Sequence, residues 1–556
     1  MAHLRPLTEL PTHSVRNQPP ALEDVNLWTG DLALREAIER EGGGWAAAEL
    51  ATFGARAGSA EATAWGVEAN RNKPELLLFD RYGHRVDEVR YHPSYHALMG
   101  MAIEVGMPSV AWTAEQGGHV AHSAFGFMMT QVEPGVCCPL SMTYAVVPAL
   151  RHQSELADEW VPRLTSRSYD PRFCPAAEKS GVTMGMAMTE KQGGSDVRAN
   201  TTKAHPLGEG GPGAEYELVG HKWFCSAPMS DAFLTLAQAP GGLSCFLVPR
   251  WRPDGTRNPF FIQRLKDKLG DHANASSEIE YNGTWARMVG EEGRGVRTII
   301  EMVHHTRLDC VVAPAAMMRQ AVANATWHVA HRSAFGKVLI DQPLMRAVIA
   351  DLALESEAAT ALAMRVARSF DESTQAGEVG ERARLFSRLA TPVSKYWLNK
   401  RLPELVYEAM ECHGGAGYIE EGAMARLFRQ SPLNSIWEGS GNVICLDVLR
   451  AMGREPACVE ALLAELKAAT GADRRYDAFV GGLADRFSKP IGEADARGLC
   501  ESLGLALQGS LLVRHAPGFV ADAFCAGRLG GEGRCYGTLP AGVDLDGLIA
   551  RARMQG

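Results

Sequence analysis

The chain has 556 residues and a mass of 60.1 kDa, which at about 150 residues per domain predicts three to four domains. Hydrophobic residues make up 46% and charged residues 22% of the sequence, and this composition excludes a mainly disordered protein. The formal net charge of −9 argues against nucleic-acid binding driven by the charge of the whole molecule, but not against a local basic patch.

The sequence shows no clear membrane helix, secretory signal or pattern of paired cysteines. No apolar run reaches the roughly 20 residues of a membrane helix, and the N-terminus lacks the apolar segment of a secretory signal. Twelve scattered cysteines, with no CxxC pair, are typical of reduced thiols. We therefore expect a cytoplasmic protein that has no membrane partner and no metal site.

The hydrophobic pattern divides the chain into four regions. Residues 1–184 have helical spacing, with Gly42–Gly44 as a break between two helices. Residues 185–290 contain short runs of strand-forming residues between turn clusters, which predicts a small sandwich or barrel. Helical spacing returns in residues 291–453 and continues in an extra segment, 454–556. This order lacks the strand–helix alternation of a dinucleotide-binding sheet.

The first candidate site is the polar turn that opens the β region, MAMTEKQGGSDVRANTTKA, residues 186–204. Main-chain amides and hydroxyls of such a turn can bind a phosphate or the edge of a flat heterocycle. An isolated turn of this kind is more often a surface loop whose glycines serve turn geometry. A second candidate, HKWFCSAPMSDAF, places Trp223 and Ser226 at a strand end, where they suit a flavin ring, although a lone Trp is more often core.

Glu438 is the candidate general base, in the segment NSIWEGSGNVICLDVLR. A carboxylate beside an aromatic residue such as Trp437 can be desolvated, which raises its pKa and suits it to proton abstraction. From composition alone, an exposed loop glutamate is the more common interpretation. Two further segments bear on a cofactor. HRSAFGKVLIDQPLMR carries Arg332, which suits a pyrophosphate, and the glycines of ECHGGAGYIEEG permit close backbone approach.

Taken in order, these segments resemble the acyl-CoA dehydrogenase superfamily over roughly residues 90–450, and the alkylation-response (AidB-type) branch in particular. MTEKQGGSDV, HKWF, GGLSCF, RLKDKLG, NSIWEGSGN and CLDVLR carry the resemblance. It implies an α+β multidomain fold with an N-terminal helical domain (1–184), a central small β-barrel or sandwich (185–290), a C-terminal four-helix bundle (291–453) and an extra C-terminal helical domain (454–556).

The resemblance also implies FAD as the cofactor and a homotetramer, because one segment of the family reaches the FAD of a neighbouring subunit. In this chain that segment carries Arg332, Phe335 and Gln342. The residues implied in cofactor binding are Met188, Thr189, Gly194, Ser195, Trp223, Phe224, Ser226, Arg332, Phe335, Gln342, Gly414, Gly415, Asn434, Trp437, Ser440 and Asn442.

In the family, the residue at the position of Glu438 removes the α-proton of an acyl thioester. Some members place this base on the helix that here reads HHTRLDC, but the corresponding position carries Thr306, which cannot act as a carboxylate base. Arg307 matches an arginine near the acyl-CoA site. We therefore expect an FAD-dependent acyl-CoA dehydrogenase for short or branched, isovaleryl-type acyl-CoA, with an activity that can be low.

The branch also implies a role in the alkylation-damage response and duplex DNA binding through the extra domain, and we expect both of this protein. A metabolic acyl-CoA dehydrogenase without a DNA role and a structural flavoprotein without turnover stay open as alternatives. Residues 451–556 contain 12 Lys and Arg against 13 Asp and Glu, so any DNA site must be a local patch. The candidates are Arg450, Arg454, Arg474 and Arg475, for which an ordinary solvated helix face is an equally good interpretation.

Overall fold

A computed structural model of the protein describes residues 6–487, 489–530 and 535–554. A helical part, a β-rich part and a second helical part follow one another along the chain, which confirms the predicted fold class. Within these ranges, no helix is both long enough and apolar enough to cross a membrane.

The N-terminal part is mainly helical, and Gly42–Gly44 separates its first two helices as predicted. Side-chain caps fix two of the helix starts: Asp31 accepts a hydrogen bond from the amide of Leu34, and Ser59 from the amide of Ala62. The helices are α1 (Leu32–Arg40), α2 (Ala47–Ala57), α3 (Ala60–Arg71), α4 (Pro93–Glu104), α5 (Val110–Thr113), α6 (Gly118–Val132), α7 (Cys137–Leu150) and α8 (Ser154–Leu164).

A β-hairpin interrupts these helices, in a region that the sequence predicted to be mostly helical. Its strands are β1 (Glu75–Phe79) and β2 (Arg85–Arg90), which pair antiparallel. The turn is closed by Asp80, whose carboxylate accepts hydrogen bonds from the amides of Tyr82 and His84 at 2.8 and 2.9 Å. A side chain that bonds its own turn in this way favours a hairpin over a continued helix.

The central part is a closed β-barrel. Its strands are β3 (Met184–Ala187), β4 (Lys203–Pro206), β5 (Glu215–Ser226), β6 (Ala232–Ala239), β7 (Gly242–Pro249), β8 (Phe260–Leu265) and β9 (Ser276–Val289). The hydrogen-bonded circuit runs β6–β4–β5–β9–β7 and returns to β6, while β3 pairs with β6 and β8 with β9. Closure buries aromatic side chains such as Tyr216, Phe233 and Phe246 inside.

Long helices form the C-terminal bundle. They are α9 (Gly295–His331), α10 (Pro343–Ser373), α11 (Glu378–Glu411), α12 (Ala423–Gln430) and α13 (Gly441–Arg454). α9, α10 and α11 pack pairwise, and α13 packs on α11. A small hairpin, β10 (Ser333–Ala334) with β11 (Lys337–Val338), connects α9 to α10.

The extra helices dock on this bundle rather than forming a detached unit. They are α14 (Ala457–Lys467), α15 (Arg474–Phe487), α16 (Ala496–His515), α17 (Gly518–Phe524) and α18 (Leu545–Ala552). Arg528 forms ion pairs with Asp351 and Glu355 of α10, and the Glu355 carboxylate is 1% exposed. The same hydrophobic core runs through the N-terminal helices, the bundle and the extra helices. The domain boundaries given above stay predictions.

Candidate active site and cofactor surface

The candidate base lies in a tight loop that precedes α13. Glu438 and Gly439 both have positive φ angles, +56° and +102°, a conformation that costs a non-glycine residue free energy and persists when the surroundings hold it. Two cations hold it here. Lys395 of α11 donates to the carbonyl oxygens of Trp437 and Gly439 at 3.0 and 2.7 Å, and Arg307 of α9 donates to that of Glu438 at 3.0 Å.

The Glu438 carboxyl is placed to accept a proton. Its Oε2 atom is buried and has no hydrogen-bond partner among the residues that the structure describes. Burial raises the pKa of this carboxyl, while the charge of Arg307, the facing hydroxyl of Thr306 and the charge of Lys395 lower it, and the net shift is upward. A desolvated carboxylate with one free oxygen is the form that a general base takes.

Trp437 has a fixed orientation beside this base. Its indole Nε1 donates to Oδ1 of the buried Asn434 at 2.6 Å. Ser440 occupies the N-cap position of α13, and both Ser440 and Asn442 are exposed at the start of that helix. The structure thus brings together the candidates Asn434, Trp437 and Glu438 and leaves two polar side chains open at the helix start.

Arg307, predicted to lie near acyl-CoA, also has a structural role. Its Nη1 lies 2.9 Å from Oδ2 of Asp447 on α13, and Arg388 of α11 approaches the other oxygen of the same carboxylate at 3.0 Å. These two arginines lower the pKa of Asp447 even though burial alone would raise it. The network joins α9, α11 and α13 behind the loop that carries the base.

The polar turn that opens the β-barrel is fixed by a buried ion pair. Lys222 and Glu190 lie 2.9 Å apart with fully buried side chains, and Glu190 also accepts hydrogen bonds from the amides of Thr201 and Thr202. Burial alone would raise the pKa of Glu190, but Lys222 and these amides lower it to about 2. The carboxylate therefore stays ionised at neutral pH and anchors the turn.

This anchor joins the two candidate flavin segments. The amide of Trp223 donates to the carbonyl oxygen of Thr189 at 2.7 Å, so the strand end and the turn are one unit. A Cβ at Gly194 would clash with the Thr189 side chain, which accounts for glycine there. The amides of Gly194 and Ser195 donate to no acceptor among the described residues, and both residues are exposed.

Two cationic side chains lie beside Trp223, and both pair with the Glu278 carboxylate at 2.6 Å. Lys266 Nζ lies 3.1 Å from the centre of the indole ring, and Arg264 lies 5.6 Å away. Phe224 beside it is 49% exposed, and Ser226 Oγ is 3.5 Å from Ser276 Oγ. Partly exposed aromatic rings and free main-chain amides together suit a flat heterocycle.

The backbone at Gly414 and Gly415, in the segment ECHGGAGYIEEG, is open to solvent, which a closely approaching cofactor requires. A Cβ at Gly414 or at Gly415 would meet no described atom within 4 Å, and Gly414 has a φ of +59°. The site residues therefore fit a flavin dinucleotide. The turn supplies hydrogen-bond donors, the strand end supplies an aromatic surface, and the backbone at Gly414 and Gly415 is open.

Among the described residues, no cluster of three or more His, Cys, Asp or Glu is arranged to hold a metal ion.

The third group of candidates lies on the small β10–β11 hairpin. Arg332 donates to the carbonyl oxygen of Asn17 at 2.5 Å, and Gln342 to that of Ala334 at 3.2 Å. Phe335 at the tip has a φ of +53° and is 98% exposed. The polar contacts of this group thus lie within the hairpin and toward the N-terminal segment, away from the base loop.

The candidate DNA residues differ in their environments. Arg475 forms ion pairs with Asp473 and Asp522 at 2.5 and 2.8 Å, and Arg450 lies 3.7 Å from Asp447. Arg454 and Arg474 are exposed and have no ion-pair partner in the described part of the chain. The structure thus leaves two of the four arginines with an uncompensated charge.

Sequence reasoning did not single out Lys395, Lys222 and Glu190. Glu190 and Lys222 lie inside the segments MTEKQGGSDV and HKWF. The two segments thus carry charges of opposite sign, and this was the one sequence feature that could have predicted the ion pair. Lys395 lies in the middle of α11, and nothing in its local sequence points to Trp437, which follows 42 residues later.

Family models match most of the chain. The "Adaptive response protein AidB N-terminal domain" matches residues 17–171, "Acyl-CoA dehydrogenase, middle domain" matches residues 185–284, and "Acyl-CoA dehydrogenase, C-terminal domain" matches residues 293–453. The residues described above at the barrel turn, the strand end and the base loop lie within the latter two.

Individual relatives agree with these matches. The AidB protein of Escherichia coli (strain K12) is 44% identical over 92% of this chain and 94% of its own length. Caenorhabditis elegans ACDH-11 in complex with C11-CoA has a TM-score of 0.84 and 27% identity over 95% of each chain. An acyl-CoA dehydrogenase from Bacillus anthracis complexed with FAD shares the fold, with a TM-score of 0.64 and 18% identity over 78% of this chain and 81% of its own.

Proposed function

The chain belongs to the acyl-CoA dehydrogenase family and to its AidB group, and we propose that Glu438 is the base that removes the α-proton of its acyl-CoA substrate. The observation that carries this proposal is the buried Oε2 atom of Glu438, which has no partner in the described residues. The family makes the protein an FAD-dependent dehydrogenase, so the remaining question is which residues do the chemistry and on which acyl group.

FAD, when bound, supplies the hydride acceptor for the oxidation. The chain's own residues prepare the proton transfer. Burial makes the Glu438 carboxylate more basic than it would be in water, and the hydrogen bonds from Lys395 and Arg307 fix the position of its main chain. A base held in one orientation loses little entropy when the substrate binds.

We infer that short or branched acyl groups, such as isovaleryl, are the preferred substrates. The indole of Trp437 is bulky, adjoins the base and is held by Asn434, so it narrows the space for a long straight chain. The C. elegans neighbour was solved with C11-CoA, so a longer acyl group is the alternative that the experiment must decide.

The experiment is anaerobic stopped-flow reduction of the purified flavoprotein by isovaleryl-, butyryl- and palmitoyl-CoA. We expect the flavin to bleach fastest with the two short thioesters. In Trp437→Tyr, the rate of flavin reduction by palmitoyl-CoA should rise relative to the rates with the two short thioesters. Glu438→Gln keeps the shape of the side chain but removes the base, so reduction should slow by about 10²- to 10⁴-fold.

The matched control is Glu460→Gln on the surface of α14, which should reduce at the wild-type rate. Equal rates for Glu438→Gln and wild type would reject the base assignment. If no acyl-CoA bleaches the wild type, a flavoprotein without turnover is the better description.

We also propose a homotetramer, supported by the fully exposed Phe335 at a hairpin tip. An exposed aromatic side chain in a strained conformation is typical of an interface residue rather than of a free surface. Arg332 and Gln342 lie in the same segment, so assembly and cofactor binding would be linked.

A second proposed function is duplex DNA binding. It rests on the AidB relationship and on two exposed arginines that have no ion-pair partner in the described part of the chain, Arg454 at the end of α13 and Arg474 at the start of α15. Arg475 supports it less, because two aspartates neutralise its charge locally. Arg454→Glu with Arg474→Glu should weaken duplex binding and reduce its salt slope by about one unit for each phosphate that the variant no longer neutralises.

Lys203→Glu, an exposed charge reversal on the barrel, is the control for the DNA experiment. The FAD content should stay unchanged in both proteins. An unchanged affinity and slope in the double variant would place the DNA site elsewhere or remove it.

A further inference from the structure

The N-terminal segment, residues 6–31, precedes α1 and forms neither a helix nor a strand of its own. Part of it is tied to the C-terminal end of α9 and to the β10–β11 hairpin. The indole Nε1 of Trp327 on α9 donates to the carbonyl oxygen of Pro20 at 2.8 Å. Three further hydrogen bonds join Asn17 to Arg332 and Ser333, the residues where α9 ends and the hairpin begins.

The side chain of Asn17 binds the outer edge of β10. Its Oδ1 accepts a hydrogen bond from the amide of Ser333 at 2.7 Å, and its Nδ2 donates to the carbonyl oxygen of the same residue at 2.8 Å. One side-chain amide thus satisfies both main-chain groups of Ser333. An aspartate at this position would have no donor, and an alanine would have neither group.

The main chain of Asn17 makes a separate contact. Its φ angle is +58°, in the left-handed region that asparagine adopts more readily than most residues. Its carbonyl oxygen accepts a hydrogen bond from Nη1 of Arg332 at 2.5 Å. Side chain and main chain of one residue therefore hold two successive residues of the hairpin segment.

Arg332 keeps donors that the protein does not use. Its guanidinium pairs with no carboxylate in the described part of the chain, and Nε and Nη2 have no hydrogen-bond partner there. The guanidinium is charged at any working pH. The side chain therefore offers a positive charge and two nitrogens while its third nitrogen is fixed on Asn17.

Arg332 lies on the same surface as the open glycine backbone. His328 precedes it by one helical turn, and the His328 ring centre lies 4.5 Å from that of His413, which directly precedes Gly414. Burial, His413 and the charge of Arg332 together lower the pKa of His328 to about 4, so this imidazole is neutral at pH 7. A free guanidinium beside open backbone suits a phosphate group.

We propose that Asn17 is a positioning residue of the cofactor site. It fixes one nitrogen of Arg332 and the strand that follows, so that the other two nitrogens stay available to the pyrophosphate of FAD. A long side chain that is already held loses less rotamer freedom when it binds. The inference rests on the proposed link between Arg332 and the cofactor.

The test measures how fast FAD leaves the full-length flavoprotein, from the recovery of flavin fluorescence after dilution. Asn17→Gly removes the side-chain amide, while glycine keeps the positive φ angle without strain. Because the lost hydrogen bonds are exposed to solvent, FAD should leave about 3- to 10-fold faster. Asn72→Gly is the matched control, since the exposed Asn72 side chain also donates to a carbonyl oxygen, that of Glu68. It should release FAD at the wild-type rate.

A double variant separates positioning from a merely structural role. Arg332→Gln removes the charge-assisted hydrogen bonds and should speed FAD release by about 10- to 100-fold. If Asn17 acts through Arg332, adding Asn17→Gly to Arg332→Gln should change the rate by no more than about twofold. A residue that only stabilised the N-terminal segment would have its full effect in both backgrounds.

Three results would overturn the proposal. If Arg332→Gln releases FAD faster but Asn17→Gly does not, Arg332 keeps its role and the inference about Asn17 alone is wrong. If the two effects add fully, Asn17 does not act through Arg332. If Arg332→Gln releases FAD as the wild type does, the cofactor role of Arg332 and the inference fail together. Flavin reduction by acyl-CoA in wild type and Glu438→Gln tests the proposed dehydrogenase function separately.

Discussion

The ammonium group of Lys395 lies 2.7 Å from the carbonyl oxygen of Gly439 and bonds the carbonyl of Trp437 as well. One cation thus holds the residues on both sides of the candidate base. Burial lowers the pKa of Lys395, and the pair of carbonyl oxygens offsets part of the cost of placing a charge there.

Lys395→Met should slow flavin reduction by about 10- to 100-fold, because a displaced base loses the alignment that proton transfer needs. It should also shift the acidic limb of the pH–rate profile to higher pH. The Lys395 charge lowers the pKa of Glu438, so its removal raises that pKa and the carboxylate forms later as pH rises. Stopped-flow rates between about pH 5 and 8 measure both effects.

A purely structural role for Lys395 would lower the rate without moving the limb. Lys467→Met on α14 is the matched control, since that lysine is exposed. Its profile should coincide with that of the wild type.

Lys222→Met should destabilise the protein by about 3–5 kcal/mol, because Glu190 would be left as an unpaired buried charge. The turn at residues 188–195 should loosen and the FAD content should fall. Lys222→Met combined with Glu190→Gln should recover most of the stability, since the uncompensated charge is gone. Thermal unfolding and the flavin-to-protein absorbance ratio measure the two effects. A double variant as unstable as the single one would contradict the role of the pair.

Glu133→Gln should make stability less dependent on pH. Burial raises the pKa of this fully buried carboxyl from 4.5 to about 7, although the charge of Arg426 opposes the shift. Because the folded state binds this proton more tightly than the unfolded chain, wild-type stability falls as pH rises from about 4.5 to about 7, by roughly 3 kcal/mol. Gln keeps an acceptor for the Val136 amide, which Glu133 binds at 2.9 Å.

The measurement is thermal unfolding of both proteins at pH 5 and pH 8. The variant should gain stability relative to the wild type at the higher pH, whereas Glu159→Gln, an exposed carboxylate on α8, should show no such gain. An identical pH dependence in Glu133→Gln and wild type would show that this carboxyl does not take up a proton on folding.

Phe335→Asp should dissociate the proposed tetramer, because it places a charge at the tip of an apolar contact. Light scattering should show a smaller assembly, and FAD should dissociate more readily if the hairpin completes a neighbour's site. Tyr82→Asp is the matched control, since Tyr82 is also an exposed aromatic residue, 68% exposed, in a hairpin turn. A tetramer that persists in Phe335→Asp would move the interface away from this hairpin.

Local sequence patterns predicted the helices and strands well where the pattern was long. The uninterrupted helical spacing after Arg294 corresponds to α9, Gly295–His331, and the short strand-forming run AFLTLAQA is β6. The β1–β2 hairpin was missed because its two strands lie alone between helical segments, whereas the barrel strands follow one another in a series of short runs separated by turn clusters.

What the sequence determined by itself was the set of candidate site residues. Glu438 next to Trp437, the polar turn with Gly194 and the Trp223 strand end were recognisable because each lies in one continuous segment. The tertiary structure decided how these residues are held. Lys395, Arg307 and Asp447 come from α11, α9 and α13, three helices that meet only in the folded chain. Contacts between distant segments depend on packing, which local spacing does not encode.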